Sequence, residues 1–233
     1  MNRMILKRLD EMDYGVTEAF RTLRTNIQFC GDNVKVIMVT SSVPNEGKST
    51  VTIDLARSMA EANQRVLVID CDIRKSVLIG RLAAHLEGNG ISYGLSHYLC
   101  GQKRMEEVIY ETNIPNMDII FAGHVVPNPT EILGNHYFKQ LIQMARTAYD
   151  VVLVDAPPLG AVIDAAVVAP HVDGAILVIQ QGTVSRRLAK NVKKQLENSG
   201  VRILGAVLNK VEIERQGSGY YSGYYKEYYG KQS

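Results

Sequence analysis

Three short stretches hold residue types that together suit phosphate chemistry. Residues Ser42 to Thr50 read SVPNEGKST, directly after an apolar run and directly before a helical pattern. The spacing GxxxxGK[ST] demands a loop whose backbone N–H groups wrap phosphate oxygens, and a helix N-terminus behind it adds positive potential. Pro44, Asn45, Glu46 and Gly47 form that loop, Lys48 reaches the terminal phosphates, and Ser49 is placed to bind Mg²⁺, with Thr50 beside it. Ser42 stands where the general pattern has its first glycine. Outside the strand-loop-helix context, the same letters would be a helix N-cap with an incidental lysine.

The second stretch is VLVIDCDIRK, Val66 to Lys75. An apolar strand ending in Asp70 and followed by Asp72 and Arg74 sets two carboxylates at the end of a sheet. Alternation sends both to one side if the extended conformation continues past the strand. Beside a phosphate loop, such carboxylates can hold Mg²⁺ or accept a proton from an attacking hydroxyl. Taken alone, a strand-end aspartate more commonly caps a turn. The third stretch, VVLVDAPP from Val151 to Pro158, ends its strand in Asp155, the position at which a Walker B carboxylate meets Mg²⁺. Asn209 follows a later strand, where an amide could read adenine but where turn residues are also common.

The elements that position these residues are legible in the apolar pattern. Val34 to Thr40, Arg65 to Asp70, Met117 to Phe121, Asp150 to Asp155, Gly174 to Gln180 and Arg202 to Leu208 are nearly continuous apolar runs, as in a parallel sheet buried on both faces. Helical patterns lie between them at Ser49 to Asn63, Asn135 to Tyr149 and Val184 to Ser199. Strand-helix alternation with right-handed crossovers predicts a three-layer α/β fold with a mostly parallel central sheet and ligands at the carboxyl ends of its strands. A further helix, from Thr17 as N-cap through Phe29, precedes the first strand and turns Phe20, Leu23 and Ile27 to the core. From Ala83 to Thr112 the strand signal lapses, which predicts a small helical excursion.

Composition narrows the function classes. The chain has 233 residues, 46% hydrophobic and 21% charged, which excludes wholesale disorder. Its 26 Lys and Arg against 24 Asp and Glu leave a formal charge of +2, so nucleic acid or an anionic membrane would need a local patch. The helix from Ser185 carries Arg186, Arg187, Lys190, Lys193 and Lys194, a pattern that is usually a solvated face. Cys30, Cys71 and Cys100 show no metal-ligand spacing and read as buried thiols in a reducing compartment. No stretch suits a signal peptide or a membrane span. Trp is absent, yet Tyr220, Tyr221, Tyr224, Tyr225, Tyr228 and Tyr229 are six of the 12 tyrosines. They sit in a Gly-rich segment without Leu or Val, so the chain divides into a nucleotide-binding domain, 1–211, and a tyrosine-rich tail, 212–233. An adhesive or base-stacking aromatic tail is the bland alternative.

The series SxxPxEGKST, apolar-DxDxR and apolar-DxPP resembles the bacterial tyrosine kinases that control capsule and exopolysaccharide synthesis, from about Tyr14 to Lys210 and on into the tail. Glu18-Ala-Phe-Arg21-Thr-Leu-Arg24 is similar to that family's ExxRxxR oligomerisation motif, and Pro127-Asn-Pro-Thr-Glu131 to its PNPxEL segment. Asn45 stands where glycine is frequent, so an adjusted loop geometry is expected. The resemblance implies a P-loop NTPase fold and an ATP-dependent protein tyrosine kinase that phosphorylates its own tail in trans. Glu18, Arg21 and Arg24 would then serve a ring-like homo-oligomer, and Arg74 and Asn209 would join the loop in binding ATP. Ser49, Asp155 and Asp72 would hold Mg²⁺, with Asp70 as proton acceptor, although spacing leaves open which of Asp70 and Asp72 is the base. The separate form of these kinases implies a cytoplasmic protein held at the inner face of the membrane. Its partners would be a transmembrane activator of polysaccharide export and a cognate tyrosine phosphatase, with no nucleic acid. The HRD, DFG and VAIK signatures of eukaryotic-type kinases are missing. The competing reading is a nucleotide-switched positioning ATPase of the partitioning and cell-division type, which has no need of clustered tyrosine acceptors.

Overall fold

The computed structural model describes residues 2–87 and 92–211. The tyrosine cluster, Tyr220 to Tyr229, lies outside the described residues. In chain order the strands are β1 (Asn2–Ile5), β2 (Val36–Ser41), β3 (Val66–Asp70), β4 (His85–Leu86), β5 (Tyr110–Thr112), β6 (Met117–Ile120), β7 (Val151–Asp155), β8 (Gly174–Gln180) and β9 (Ile203–Asn209). The helices are α1 (Tyr14–Gln28), α2 (Lys48–Glu61), α3 (Leu78–Arg81), α4 (Leu95–Leu99), α5 (Pro129–Leu133), α6 (His136–Ala148), α7 (Asp164–Val168) and α8 (Arg186–Asn198).

The described strands form one sheet in the order β4-β1-β5-β6-β3-β7-β2-β8-β9. Every neighbouring pair from β6 to β9 is parallel, so these strands all end on one edge. β2, β3 and β7 are buried along their whole length, which is why their sequences read as unbroken apolar runs rather than alternating ones. Two apolar cores flank the sheet. One gathers Ile27 of α1, Leu55 and Met59 of α2 and Leu78 of α3, and the other Leu133 of α5, Phe138 and Leu141 of α6, Val168 of α7 and Leu196 of α8. The three-layer expectation therefore holds, with Phe20 and Leu23 packed on the first core beside Ile27.

Several local expectations need correction. α1 starts earlier than Thr17: Asp13 is the N-cap, its carboxylate accepting from the Val16 N–H at 2.8 Å, and Thr17 lies inside the first turn with its hydroxyl on the Asp13 carbonyl. The region from Ala83 to Thr112 is only partly helical, because β4 and β5 extend the sheet there. β1, made from the start of the chain, pairs parallel with β5 and antiparallel with β4. β5 in turn runs antiparallel to β6. Among the cysteines only Cys71 is buried, while Cys30 is half-buried and Cys100 exposed.

Candidate active site at the carboxyl edge of the sheet

Five loops meet at the carboxyl edge. β2 lies between β7 and β8, so the loop after it, residues 42–47, opens at the centre of the parallel strands. Two of its residues take left-handed conformations, Asn45 at φ 68° and Gly47 at φ 91°. Asparagine is among the few residues that tolerate this region, so Asn45 makes the turn that glycine would make. Gly47 is required on a second ground, since a Cβ there would lie 2.1 Å from the Asn209 amide nitrogen.

The loop is organised from inside by Glu46, which is fully buried. One carboxylate oxygen accepts from the Ser42 and Val43 N–H groups at 2.6 and 2.8 Å, and the other from the Gln180 N–H at 3.1 Å. Two residues at the end of β9 complete the support. The Asn209 amide donates to the Glu46 carbonyl at 2.9 Å, and Lys210 Nζ donates to the Asn45 carbonyl at 2.8 Å and to Gln180 Oε1 at 2.9 Å. The described contacts of Asn209 thus lie on the loop itself. Replacing Glu46 by Ala strands one buried and two part-buried N–H groups, and a loss of about 2 kcal/mol of stability is expected in urea unfolding. The nucleotide KM should rise as well, and the Gln variant should lose less because it keeps one acceptor.

Lys48 opens α2 and reaches into a nest of carboxylates. Its Nζ lies 3.4 Å from Asp72 Oδ2, 3.4 Å from Asp155 Oδ1 and 3.3 Å from Ser49 Oγ. Asp70 and Asp155 are partners in the β3–β7 register, which points both side chains to the same face. Both are almost completely buried, at 0% and 1% exposure. Burial opposes the charge on Lys48, but Asp155, Asp72 and Asp70 outweigh it and raise its pKa. Burial, together with the neighbouring charge of Asp155, pushes Asp70 up to about 7. Asp155 is raised as well, by its burial against the pull of Lys48.

The chain keeps its pairing with β7 through Cys71, whose N–H donates to the Asp155 carbonyl at 2.9 Å, and turns from Asp72, whose carbonyl accepts from the Lys75 N–H at 3.3 Å. The Asp72 N–H donates to Asp70 Oδ1 at 3.1 Å, the Ser76 hydroxyl donates to Asp70 Oδ2, and the Lys75 N–H donates to Asp72 Oδ1 at 3.2 Å. Asp72, at the start of this turn, stands within 3.4 Å of Lys48 Nζ. Arg74 points away from the loop: its guanidinium forks onto the buried Asp164 at the start of α7 and donates to Thr130 Oγ1 at 3.0 Å. Thr130 also donates to Asp164 at 2.6 Å, tying the segment Pro127 to Glu131 to the DxDxR turn. Asp164 is held below the usual carboxylate range: burial opposes this, but the bonds from Arg74 and Thr130 prevail. Glu46 as an internal organiser, Asp164 and Lys210 were not legible as site residues, since no spacing marks a partner that lies far along the chain, and Ser76 was not because no motif marks a serine six residues past a strand end.

The oligomerisation candidates lie on α1, apart from this cluster. Glu18 and Arg21 pair with each other at 2.6 Å, and Arg24 donates to the Ser58 carbonyl and hydroxyl of α2.

The donor set suits Mg²⁺. When ionised, three clustered carboxylates face one ammonium, and Asp155 Oδ2 is buried with no hydrogen-bond partner among the described residues. Ser49 Oγ lies beside Asp155, and Asp72 reaches the same ammonium, so hard oxygen ligands converge where negative charge is in excess.

The chain is similar to several known proteins. A family described as AAA domain matches residues 34–204. The tyrosine-protein kinase CpsD of Streptococcus agalactiae is 42% identical over 194 residues, covering 83% of each chain. The kinase domain of the Escherichia coli tyrosine kinase Etk superposes with a TM-score of 0.79 at 36% identity, covering 88% of this chain and 79% of that one. The septum site-determining protein MinD of Pyrococcus horikoshii, solved with Mg-ADP, superposes at 0.65 with 24% identity, a likeness of fold alone.

Proposed function

The chain belongs to the bacterial tyrosine-protein kinases, and from that premise we propose that it transfers the γ-phosphoryl group of ATP to the tyrosines of its own C-terminal segment. The transfer occurs in trans within a ring-like homo-oligomer and regulates capsular or extracellular polysaccharide synthesis. The observation that carries the reading is the meeting of Lys48 with Asp72 and Asp155 beside the phosphate loop, in a chain that also holds the cluster Tyr220 to Tyr229. A positioning ATPase shares the fold at 24% identity, whereas curated tyrosine-protein kinases stand at 36–42%, which favours the kinase reading over the switch.

In the proposed mechanism the loop N–H groups and Lys48 hold the β and γ phosphates, while Arg74 stays on Asp164 and fixes the DxDxR turn. Ser49, Asp155 and Asp72 would hold Mg²⁺, which when bound neutralises charge on the phosphates. Asp70 accepts the proton of the incoming tyrosine hydroxyl. Its pKa near 7 gives it a proton affinity matched to neutral pH. The tyrosine oxygen then bonds to the γ phosphorus as the bond to the ADP oxygen breaks. Alignment and charge neutralisation supply most of the rate. The Ser76 hydroxyl, which holds Asp70 in the free protein, must release that oxygen as the acceptor enters.

No described helix is long and apolar enough to cross a membrane. The reading also includes a transmembrane partner that docks the kinase at the inner face of the membrane and activates it, and a cognate tyrosine phosphatase that resets the tail. The test is incubation of the purified chain with Mg·ATP, with and without a peptide from a candidate partner, followed by mass spectrometry. Phosphotyrosine is expected between Tyr220 and Tyr229, and none in the Lys48→Met variant. ATP hydrolysis without tail phosphate, even with the partner supplied, would sink the reading.

A further inference from the structure

The end of the sheet brings a cationic surface to the corner where the C-terminal segment begins. Asn209 is the register partner of Gln180, the Gln181 N–H donates to the Asn209 carbonyl at 3.0 Å, and Lys210 reaches back to Gln180. Ser185, only four residues after Gln181, caps α8 by accepting from the Leu188 N–H at 3.2 Å. Val211 and the loop leading into α8 thus follow the ends of two adjacent parallel strands, β9 and β8.

α8 buries Val192 and Leu196 and exposes Arg186, Arg187, Lys190, Lys193 and Lys194. At 3.6 residues per turn these five cations span an arc of about 120°, opposite the buried stripe. Glu197 is the one acidic residue on that arc, and it engages Lys193 alone. Among the described residues the other four form no ion pair. A surface of this kind, beginning at a helix N-terminus, suits a flexible segment carrying several phosphate groups.

Resting on the reading that the tail is phosphorylated, we propose that this face of α8 is the docking surface for the phosphorylated form of the chain's own segment 212–233. Charge complementarity exists only after modification. Glu212, Glu214 and Glu227 are balanced by Arg215, Lys226 and Lys231, so the unmodified segment is neutral. Each phosphotyrosine adds about −1.5 to −2. The reach is sufficient: the stretch from Val211 to Tyr220 spans up to roughly 30 Å, and α8, with 13 residues, is about 20 Å long. Phosphorylation then moves the tail from an acceptor site to α8 and holds it there, which gives the modification a structural readout within the same chain. The Lys226 and Lys231 side chains leave the contact to the phosphates.

The test uses a fluorescent peptide of residues 212–233 in two forms, unmodified and with phosphotyrosine at 224, 225 and 228. Each is titrated by anisotropy against the full-length, phosphatase-treated protein without ATP. The phosphopeptide is expected to bind at least about tenfold more tightly than the unmodified one and to weaken as salt is raised. The exposed triple variant Arg187→Glu, Lys190→Glu, Lys194→Glu is expected to lose about tenfold of that affinity with its thermal melt unchanged. Equal binding of the two peptides, or of the phosphopeptide to both proteins, overturns the proposal. It is equally overturned if the variant keeps the phosphopeptide but loses phosphatidylglycerol vesicles or DNA. Because the peptide arrives already phosphorylated, a kinase that fails to modify its tail leaves this measurement intact, and the two failures are distinguishable.

Discussion

Replacing Asp70 by Asn is expected to lower kcat for tail phosphorylation by about 10³ or more and at the same time to stabilise the nucleotide-free protein at alkaline pH. The two effects share one origin. Asp70 is fully buried beside Asp155, and its pKa stands near 7 against an ordinary value of 3.8. A carboxyl group whose pKa is raised on folding binds its proton more tightly in the folded state. Its favourable contribution is complete below pH 3.8 and is lost as pH rises through about 7. Above that, the folded protein carries a buried carboxylate that repels its neighbour. Asparagine imitates the protonated acid: its oxygen can accept from the Asp72 N–H, and its amide can face Ser76. The Tm of the variant should exceed that of the parent by several degrees at pH 8, and the gap should close toward pH 5. A variant that is both inactive and less stable at pH 8 would show Asp70 to be a structural strut instead of a proton acceptor.

The second large effect is expected at Lys48. The Lys48→Met variant should lose at least about 10² to 10³ in kcat/KM, since the group that meets the terminal phosphates is gone. It also removes the only cation within 4 Å of Asp72 and Asp155 among the described residues. Without it the pKa values of Asp155 and Asp70 climb further, because Lys48 is among the groups holding both down. The sign follows: the variant should come closer to the parent near pH 5, where Asp70 holds its proton, and fall behind it progressively toward pH 8. Mg²⁺ without nucleotide should recover part of the loss at pH 8, through binding to the carboxylates that Lys48 no longer neutralises. Differential scanning fluorimetry across pH, with and without Mg²⁺, separates these terms from the kinetic defect. A pH-independent deficit in Tm would mean that the carboxylates are not electrostatically coupled to Lys48.

The site residues divide by how they announce themselves. Gly47, Lys48 and Ser49 were legible because a phosphate loop is a local device, built within one strand-loop-helix turn of sequence. Asp70 and Asp155 were legible as strand ends because β3 and β7 are buried on both faces, so a carboxylate closing an apolar run stands out. Asn45 looked like a departure, yet at φ 68° it occupies the same left-handed backbone as glycine. Arg74 and Asn209 were read as nucleotide contacts from the family resemblance, with Asn209 also placed by its strand end. Their described bonds run to Asp164 and Thr130, and to Glu46, partners that only the fold supplies. β1 escaped notice because four residues with two exposed side chains carry no periodic signal, and its pairing depends on β4 and β5.

By itself the sequence determined the alternation of buried strands and helices, the phosphate loop, and the clustering of tyrosines that separates a kinase from a switch. These features depend on neighbours in the chain: periodicity, caps and the backbone freedom of a few residues. The tertiary structure alone decided that Lys48 meets Asp155 across 107 positions, that Glu46 accepts from Gln180 across 134, and that Asn209 and Lys210 brace the loop. Such contacts form because parallel strands carry their carboxyl ends to one edge whatever their distance along the chain. The charges gathered there, out of water, set the proton affinities on which the proposed chemistry rests.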